Sequence, residues 1–332
     1  MRIAVIGATG MIGNHTARAA VARGHEVVVV HRRSSNLAAL ADLPFRSVVA
    51  DLDDRDSLRA ALAQVDAVVN CAAPYPVEPR PWQAETAASL ARMENFYAAC
   101  GPNLSKIVYV GGAIALRRDP DGKPGHEGLS YQERPRDPNP YLQAKWAMDA
   151  QALAKAKEGL PVLVGIPAMT FGEHDYGPTT GQLVVKVADG TLPGYVRGRR
   201  NVVYAGDAGR GLVMAVERGR AGERYLFTGT DATMDEIVAS IADLADVPLP
   251  KVLPLGLARL VAKAQELRWR LGGPLPSVSA TAIAVMSSGQ FLSGAKARAE
   301  LGYEPTLGLR ETLARALTWF RAKGYVKAGV AA

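Results

Sequence analysis

Cysteine is nearly absent: Cys71 and Cys100 are the only two in 332 residues. Two thiols cannot staple a disulfide framework, so the fold must rest on packing, and the usage fits a reducing cytoplasm. No apolar run approaches the length of a membrane span, so stable membrane insertion is not expected. The chain passes straight from Met1 into a strand-like run, without a charged leader or cleavage site, and no secretion signal is expected. Internal repeats and low-complexity linkers are missing too. His31, His126 and His174 have no ligand spacing, which argues against a metal site. The net charge of +7 is spread over Arg32 and Arg33, Arg117 and Arg118, and residues 197–200 and 268–270. No aromatic residues interleave with these cations and no nucleic-acid motif accompanies them. The charge is read as solvated faces plus one phosphate site, with no nucleic-acid partner.

What is present is an ordinary globular composition, 48% hydrophobic and 21% charged, in a chain long enough for a full-sized core. Residues 2–6 form a short branched apolar run, which reads as a buried parallel strand. Gly7, Gly10 and Gly13 follow at three-residue spacing, and residues 15–23 continue as an alanine-rich helix that Gly24 stops. Each glycine has its own job: Gly7 turns the chain, Gly10 lets backbone approach a pyrophosphate, and Gly13 lets helix pack on strand. Free N–H groups and the positive dipole end of the helix suit phosphate. Thr9, Met11 and Ile12 share that turn and are expected cofactor contacts.

A second strand, residues 26–30, ends in His31-Arg32-Arg33-Ser34-Ser35. An acid there would bond the 2′-hydroxyl of NAD, whereas arginine accommodates the 2′-phosphate of NADP. NADP is favoured, with NAD the alternative. Residues 46–50 read as strand, closed by Asp51 and Leu52, and residues 57–63 as helix. Residues 67–70 are strand, ending in Cys71-Ala72-Ala73. Ligands sit at strand carboxyl ends in open α/β sheets, so Asp51, Leu52, Cys71, Ala72 and Ala73 are candidate cofactor contacts. Cys71 is read as a small buried apolar residue rather than a reactive thiol. After a proline-rich connection come a helix over 83–100 and a strand over 107–110. This regular alternation predicts a Rossmann-type doubly wound parallel sheet.

Residues 111–139 make a long polar loop, expected to overhang the sheet as part of a substrate lid. Tyr141 and Lys145, four apart, share one face of a helix over 141–157. Strand six, residues 160–166, is broken by Pro167. Beyond it, short strands at 201–204 and 223–228 mix with helices at 181–189, 208–217, 234–244, 257–271 and 309–322. Residues 1–166 are therefore read as the dinucleotide-binding domain. Residues 167–332 are read as mainly a smaller α/β substrate-binding part, some of whose segments return to the first. Glu173, His174 and Asp175 are read as solvated loop residues. On the 257–271 helix, Leu260, Val261, Ala264, Leu267 and Leu271 oppose Arg259, Lys263, Arg268 and Arg270. That stripe is read as core packing, the alternatives being a membrane surface or a cap on an apolar substrate.

Taken together, the glycine pattern, Asp51-Leu52, Tyr141-x-x-x-Lys145 and the segment after Pro167 resemble an extended short-chain dehydrogenase/reductase of the NAD-dependent epimerase/dehydratase superfamily. The stretches 177–183, 192–195, 217–225 and 293–303, with Trp319 and Phe320, are similar to its dihydroflavonol-reductase-like and hopanoid-associated sugar-epimerase branch. The resemblance implies Tyr141 as general acid/base, with Lys145 lowering its pKa and holding the nicotinamide ribose. Pro167 and Thr170 become cofactor contacts, and Tyr75, Gly112, Ala113 and Thr170 substrate contacts. A homodimer through helices on the sheet's flank is the family expectation.

Two positions depart from the pattern. Gly112 stands where the family places a Ser or Thr that bonds the substrate oxygen, and Ser89 where it often has Asn. Losing an oriented oxyanion donor costs about 2.7–4 kcal/mol. Either another hydroxyl (Tyr75, Ser130 or Thr170) replaces it, or Gly111 and Gly112 make room for a bulky substrate. The expectation is an NADP-dependent oxidoreductase acting on a carbonyl or secondary alcohol of a small, apolar molecule. Its rivals are a sugar-nucleotide epimerase or dehydratase that retains NAD, and a non-catalytic dinucleotide-binding protein.

Overall fold

The computed structural model of the chain describes residues 1–72, 81–274, 276, 279–287 and 289–327. Strands and helices alternate through its first half: β1 (Arg2–Ile6), α1 (Met11–Ala22), β2 (Glu26–His31), β3 (Arg46–Val49), α2 (Arg55–Leu62), β4 (Ala67–Asn70), α3 (Trp82–Ala99), β5 (Lys106–Val110), α4 (Pro140–Lys157) and β6 (Val162–Pro167). The second half holds β7 (Met169–Phe171), α5 (Gly181–Ala188), β8 (Arg199–Tyr204), α6 (Ala205–Arg218), β9 (Arg224–Phe227) and β10 (Thr230–Thr233). Then follow α7 (Met234–Ala245), α8 (Leu255–Arg270), α9 (Ala280–Ser287), α10 (Ala295–Leu301) and α11 (Leu309–Ala322).

Seven strands form one parallel sheet in the order β3-β2-β1-β4-β5-β6-β9. Helices cover both faces, so Ile3, Ala4, Val5, Val68 and Val69 are wholly buried and their run is continuously apolar rather than alternating. Strand order reverses between β1 and β4, which opens a crevice at their carboxyl ends, where Gly7 and Ala72 meet. A second sheet, β10-β8-β7, pairs β10 with β8 antiparallel and β7 with β8 parallel.

Pro167 does not cut β6 short; it is the strand's last residue, in register with Phe227 of β9. Residues from beyond 167 thus complete the large sheet through β9. Leu212 and Val213 of α6, with Leu301 and Tyr303, join the core that contains Ile3 and Val5. The long 111–139 segment is fastened down rather than hanging free. Glu127 accepts from the Leu226 N–H of edge strand β9 at 2.9 Å, Gly125 donates its N–H to Phe291 O, and Arg224 reaches Ser130 at 2.8 Å. A sheet edge needs its open N–H groups satisfied, and this segment supplies the acceptor.

The stripe on α8 is the clearest reversal of expectation. Ala258 and Ala262 are its buried residues, whereas Leu260 is 66% exposed and Leu267 60%. Apart from Leu255 at its start, the helix packs through its small side chains and turns the large ones of the stripe outward.

Candidate active site

The sequence around Tyr141 builds a helix start. Asn139 accepts from the N–H groups of Tyr141 and Leu142, Pro140 takes the first helical position, and Lys155 and Lys157 sit in the last turn. Asn139 also donates from Nδ2 to Thr281 O at 3.4 Å. Gln143 holds the approach by donating to Pro135 O and Asp137 O, both at 2.6 Å. Tyr141 is half-buried and Lys145 buried, one turn apart. Burial pushes the Lys145 ammonium down from its usual range to about 8. Its Nζ lies 5.8 Å from the ring centre of Tyr109 on β5, and no carboxylate pairs with it among the described residues.

Gly112, just beyond β5, faces the same pair. A Cβ on it would lie 3.2 Å from Tyr141 Oη and 3.6 Å from Lys145 Cδ. The structure therefore brings Gly112, Tyr141 and Lys145 together, with Ala113 opening the short turn that follows. Two of the hydroxyls considered as replacements are engaged elsewhere. Thr170 donates to Ala168 O at 2.9 Å, and Ser130 accepts from Arg224, whose other nitrogens grip Asp149. Ser89 is buried and donates to Glu85 O. Tyr75 and Ala73 lie outside the described residues.

The glycine turn sits at the crevice. Gly7 has φ +80°, the left-handed region that favours glycine, and a Cβ there would come within 3.0 Å of Ala72 N. A Cβ on Gly13 would strike Gly7 O at 2.2 Å, so helix and turn can touch only without one. Gly10 is different: it is exposed, and a Cβ would meet nothing closer than 3.6 Å. Nothing in the protein's own packing requires glycine there. Gly10 is the N-cap of α1, with no side-chain cap and no acid in the first turn, which leaves Met11, Ile12 and Gly13 at an open positive end. Thr9 and Ile12 are partly exposed beside it.

Arg32 and Arg33 are exposed at the end of β2, and Asp51 and Leu52 follow β3. Asp51 accepts from Asp53 N, and Leu52 O accepts from Asn95. Burial pushes the Cys71 thiol up to about 12, which disfavours its thiolate near neutral pH. Asn70 accepts from Ala72 N and sets the bend between them.

A second cluster was not anticipated. Glu173 is only partly exposed and is engaged on its inner side: its Oε1 lies 3.7 Å from Arg315, its Oε2 3.8 Å from His15 Nε2, and its carbonyl bonds that same nitrogen at 3.1 Å. Asp175 is buried and accepts from Thr179 N and Gly181 N. His174 has φ +64° and rests edge-on to His15. Three separate segments, around His15, residues 173–181 and Arg315, build this cluster, and no local spacing announces it.

Residues 3–227 match the family described as NAD dependent epimerase/dehydratase. The chain belongs to that family. A solved nucleoside-diphosphate-sugar epimerase from Pseudomonas aeruginosa is 42% identical, with TM-score 0.87, across 98% of this chain and 99% of its own. A putative dihydroflavonol 4-reductase of Synechocystis is 28% identical over 331 residues, covering 97% of this chain and 95% of the relative. Sterol demethylase protein B of Methylococcus capsulatus is 29% identical over 335 residues, 98% of this chain and all of the relative. This epimerase/dehydratase family member is thus an enzyme of the extended short-chain dehydrogenase/reductase type.

Proposed function

We propose that the protein is an NADP-dependent oxidoreductase that interconverts a carbonyl and a secondary alcohol on a small apolar substrate. The observation that carries the reading is the convergence of Tyr141 Oη and the Lys145 chain on the position of Gly112. The residues present fit a nicotinamide dinucleotide. The open end of α1 suits its pyrophosphate, the buried Lys145 ammonium, with no carboxylate partner among the described residues, its ribose, and Arg32 and Arg33 a 2′-phosphate. When bound, that cofactor supplies hydride chemistry.

The chain's own residues then handle the proton. Tyr141 gives a proton to the substrate oxygen in reduction, or takes one in oxidation. A phenol is a weak base near neutral pH, and a neighbouring ammonium favours its phenolate. Asn139 and Gln143 keep Tyr141 in place by fixing the first turn of α4. Gly112 leaves space beside the reacting carbon for a bulky group. An apolar substrate accords with relatives named for sterol, steroid and farnesylated quinoline chemistry.

The 42% identical epimerase favours a second reading, in which a sugar nucleotide is oxidised and reduced within one cycle on retained NAD. One experiment separates the two. The nucleotide released by denaturing the purified protein is identified, and NADPH oxidation is followed over a panel of apolar ketones and aldehydes. Little retained nucleotide together with NADPH-dependent turnover is expected. Stoichiometric NAD with no net oxidation of NADPH would establish the second reading instead.

A further inference from the structure

α8 is held to the body by Ala258 and Ala262, against Val196 and Ile283. On the opposite side of the helix, Leu257, Leu260, Val261, Ala264, Leu267 and Leu271 fall into a single stripe. Its large members are open to solvent, Leu271 at 80%. A contiguous patch of this kind marks an interaction surface rather than a scatter of surface leucines.

Charge decides what it meets. Arg259, Lys263 and Arg270 run along one flank of the stripe, and Arg268 sits just inside its other margin, beside Ala264, Leu267 and Leu271. None of these four cations is paired among the described residues. The helix's one acid, Glu266, points back to the body and accepts from Ala280 N at 2.7 Å. An exposed apolar stripe edged by cations that have no partner among the described residues, on a chain of net charge +7, is complementary to a layer of hydrocarbon beneath phosphate. We propose that α8 is a docking helix for an anionic phospholipid surface. Its leucines enter the interface, and its arginines and lysine meet the headgroup phosphates.

The helix's place gives the docking a purpose. α8 packs on α9, and Thr281 of α9 is bonded to Asn139, the cap of the helix that carries Tyr141. A lipid-borne substrate would leave the bilayer one helix away from the start of α4. That purpose rests on the redox reading, but the docking itself does not, and binding is measured without turnover.

The test is flotation of the full chain with vesicles of phosphatidylcholine, alone or mixed with phosphatidylglycerol. The wild type is expected to float with the mixed vesicles, less with phosphatidylcholine, and to be released by salt. L260Q/L267Q is expected to bind at least about tenfold more weakly. K263E/R270E is expected to lose the preference for phosphatidylglycerol. Circular dichroism and turnover of a water-soluble carbonyl should be unchanged in both, because these side chains are exposed and sit on α8 rather than on the elements that carry Gly112, Tyr141 and Lys145. Wild-type protein that ignores both vesicles, or L260Q/L267Q binding as the wild type does, would overturn the proposal. So would a wild-type dimer that does not float and that L260Q/L267Q converts to monomer, since a second copy would then own the stripe.

Discussion

Lys145 shows how a buried ammonium is held against its own preference. Its ordinary pKa of 10.5 falls to about 8 because burial penalises the ammonium. The unfolded chain therefore binds this proton more tightly than the folded one, and the stability withheld at neutral pH returns as pH rises from 8 toward 10.5. A displacement of that size corresponds to about 3 kcal/mol. Replacing Lys145 with Met should raise the unfolding free energy at pH 7 by about 1–3 kcal/mol while abolishing turnover. Urea titrations at pH 7 and pH 10 check it: the gain should shrink at the higher pH, and a loss at pH 7 would refute the strain. Gly112 offers the converse experiment. Its backbone is extended, φ −148°, and open to any residue, and only the 3.2 Å approach to Tyr141 Oη must relax. Gly112→Ser should speed turnover of small carbonyls by about tenfold or more and slow bulky ones, by restoring a donor and filling space. Equal effects on both classes would show that the glycine does not select by size.

At the scale of the element, α1 divides its glycines by purpose. Gly13→Ala should cost at least about 3 kcal/mol, since its Cβ would overlap Gly7 O. Gly10→Ala meets no such obstacle and should change stability by less than about 1 kcal/mol while weakening NADPH binding. Urea unfolding paired with a fluorescence titration reads both, and a Gly10→Ala variant that binds as tightly as the wild type would remove the pyrophosphate from that turn. This turn was legible in the sequence because strand, glycines and helix are contiguous. So were the other strands of the large sheet, whose apolar runs carry their own punctuation. α8 was misread for a physical reason: periodicity reveals that a helix has two faces, not which one the body takes. Here alanines face inward and leucines outward. The short β7, β10, α9 and α10 escaped because so few residues carry no period. The Glu173 cluster escaped because its members meet only in three dimensions.

Across the whole molecule, that cluster makes stability depend on pH. Burial pushes His15 down to about 4, against the pull of Glu173, so the folded protein keeps it neutral. Between pH 6.5 and 4 the unfolded chain takes up a proton that the fold refuses, and stability falls with falling pH, levelling off below 4. His174 moves in the same direction through burial. Glu217, held down to about 2 by Arg23 and His25, gives a contribution that is intact above pH 4.5 and lost as pH falls through 2. His15→Gln should therefore flatten the decline in Tm between pH 6.5 and 4 and leave the more acidic part unchanged. A decline of wild-type steepness in that variant would place its origin elsewhere.

The central claim is that Tyr141 moves the substrate's proton beside a dinucleotide held by α1. Its most direct test is Tyr141→Phe, measured for both NADPH affinity and kcat on the best carbonyl found. The account predicts an NADPH Kd within a few-fold of the wild type and a kcat lower by about 10²–10⁴. A variant that turns over at the wild-type rate, or that no longer binds NADPH, would contradict it.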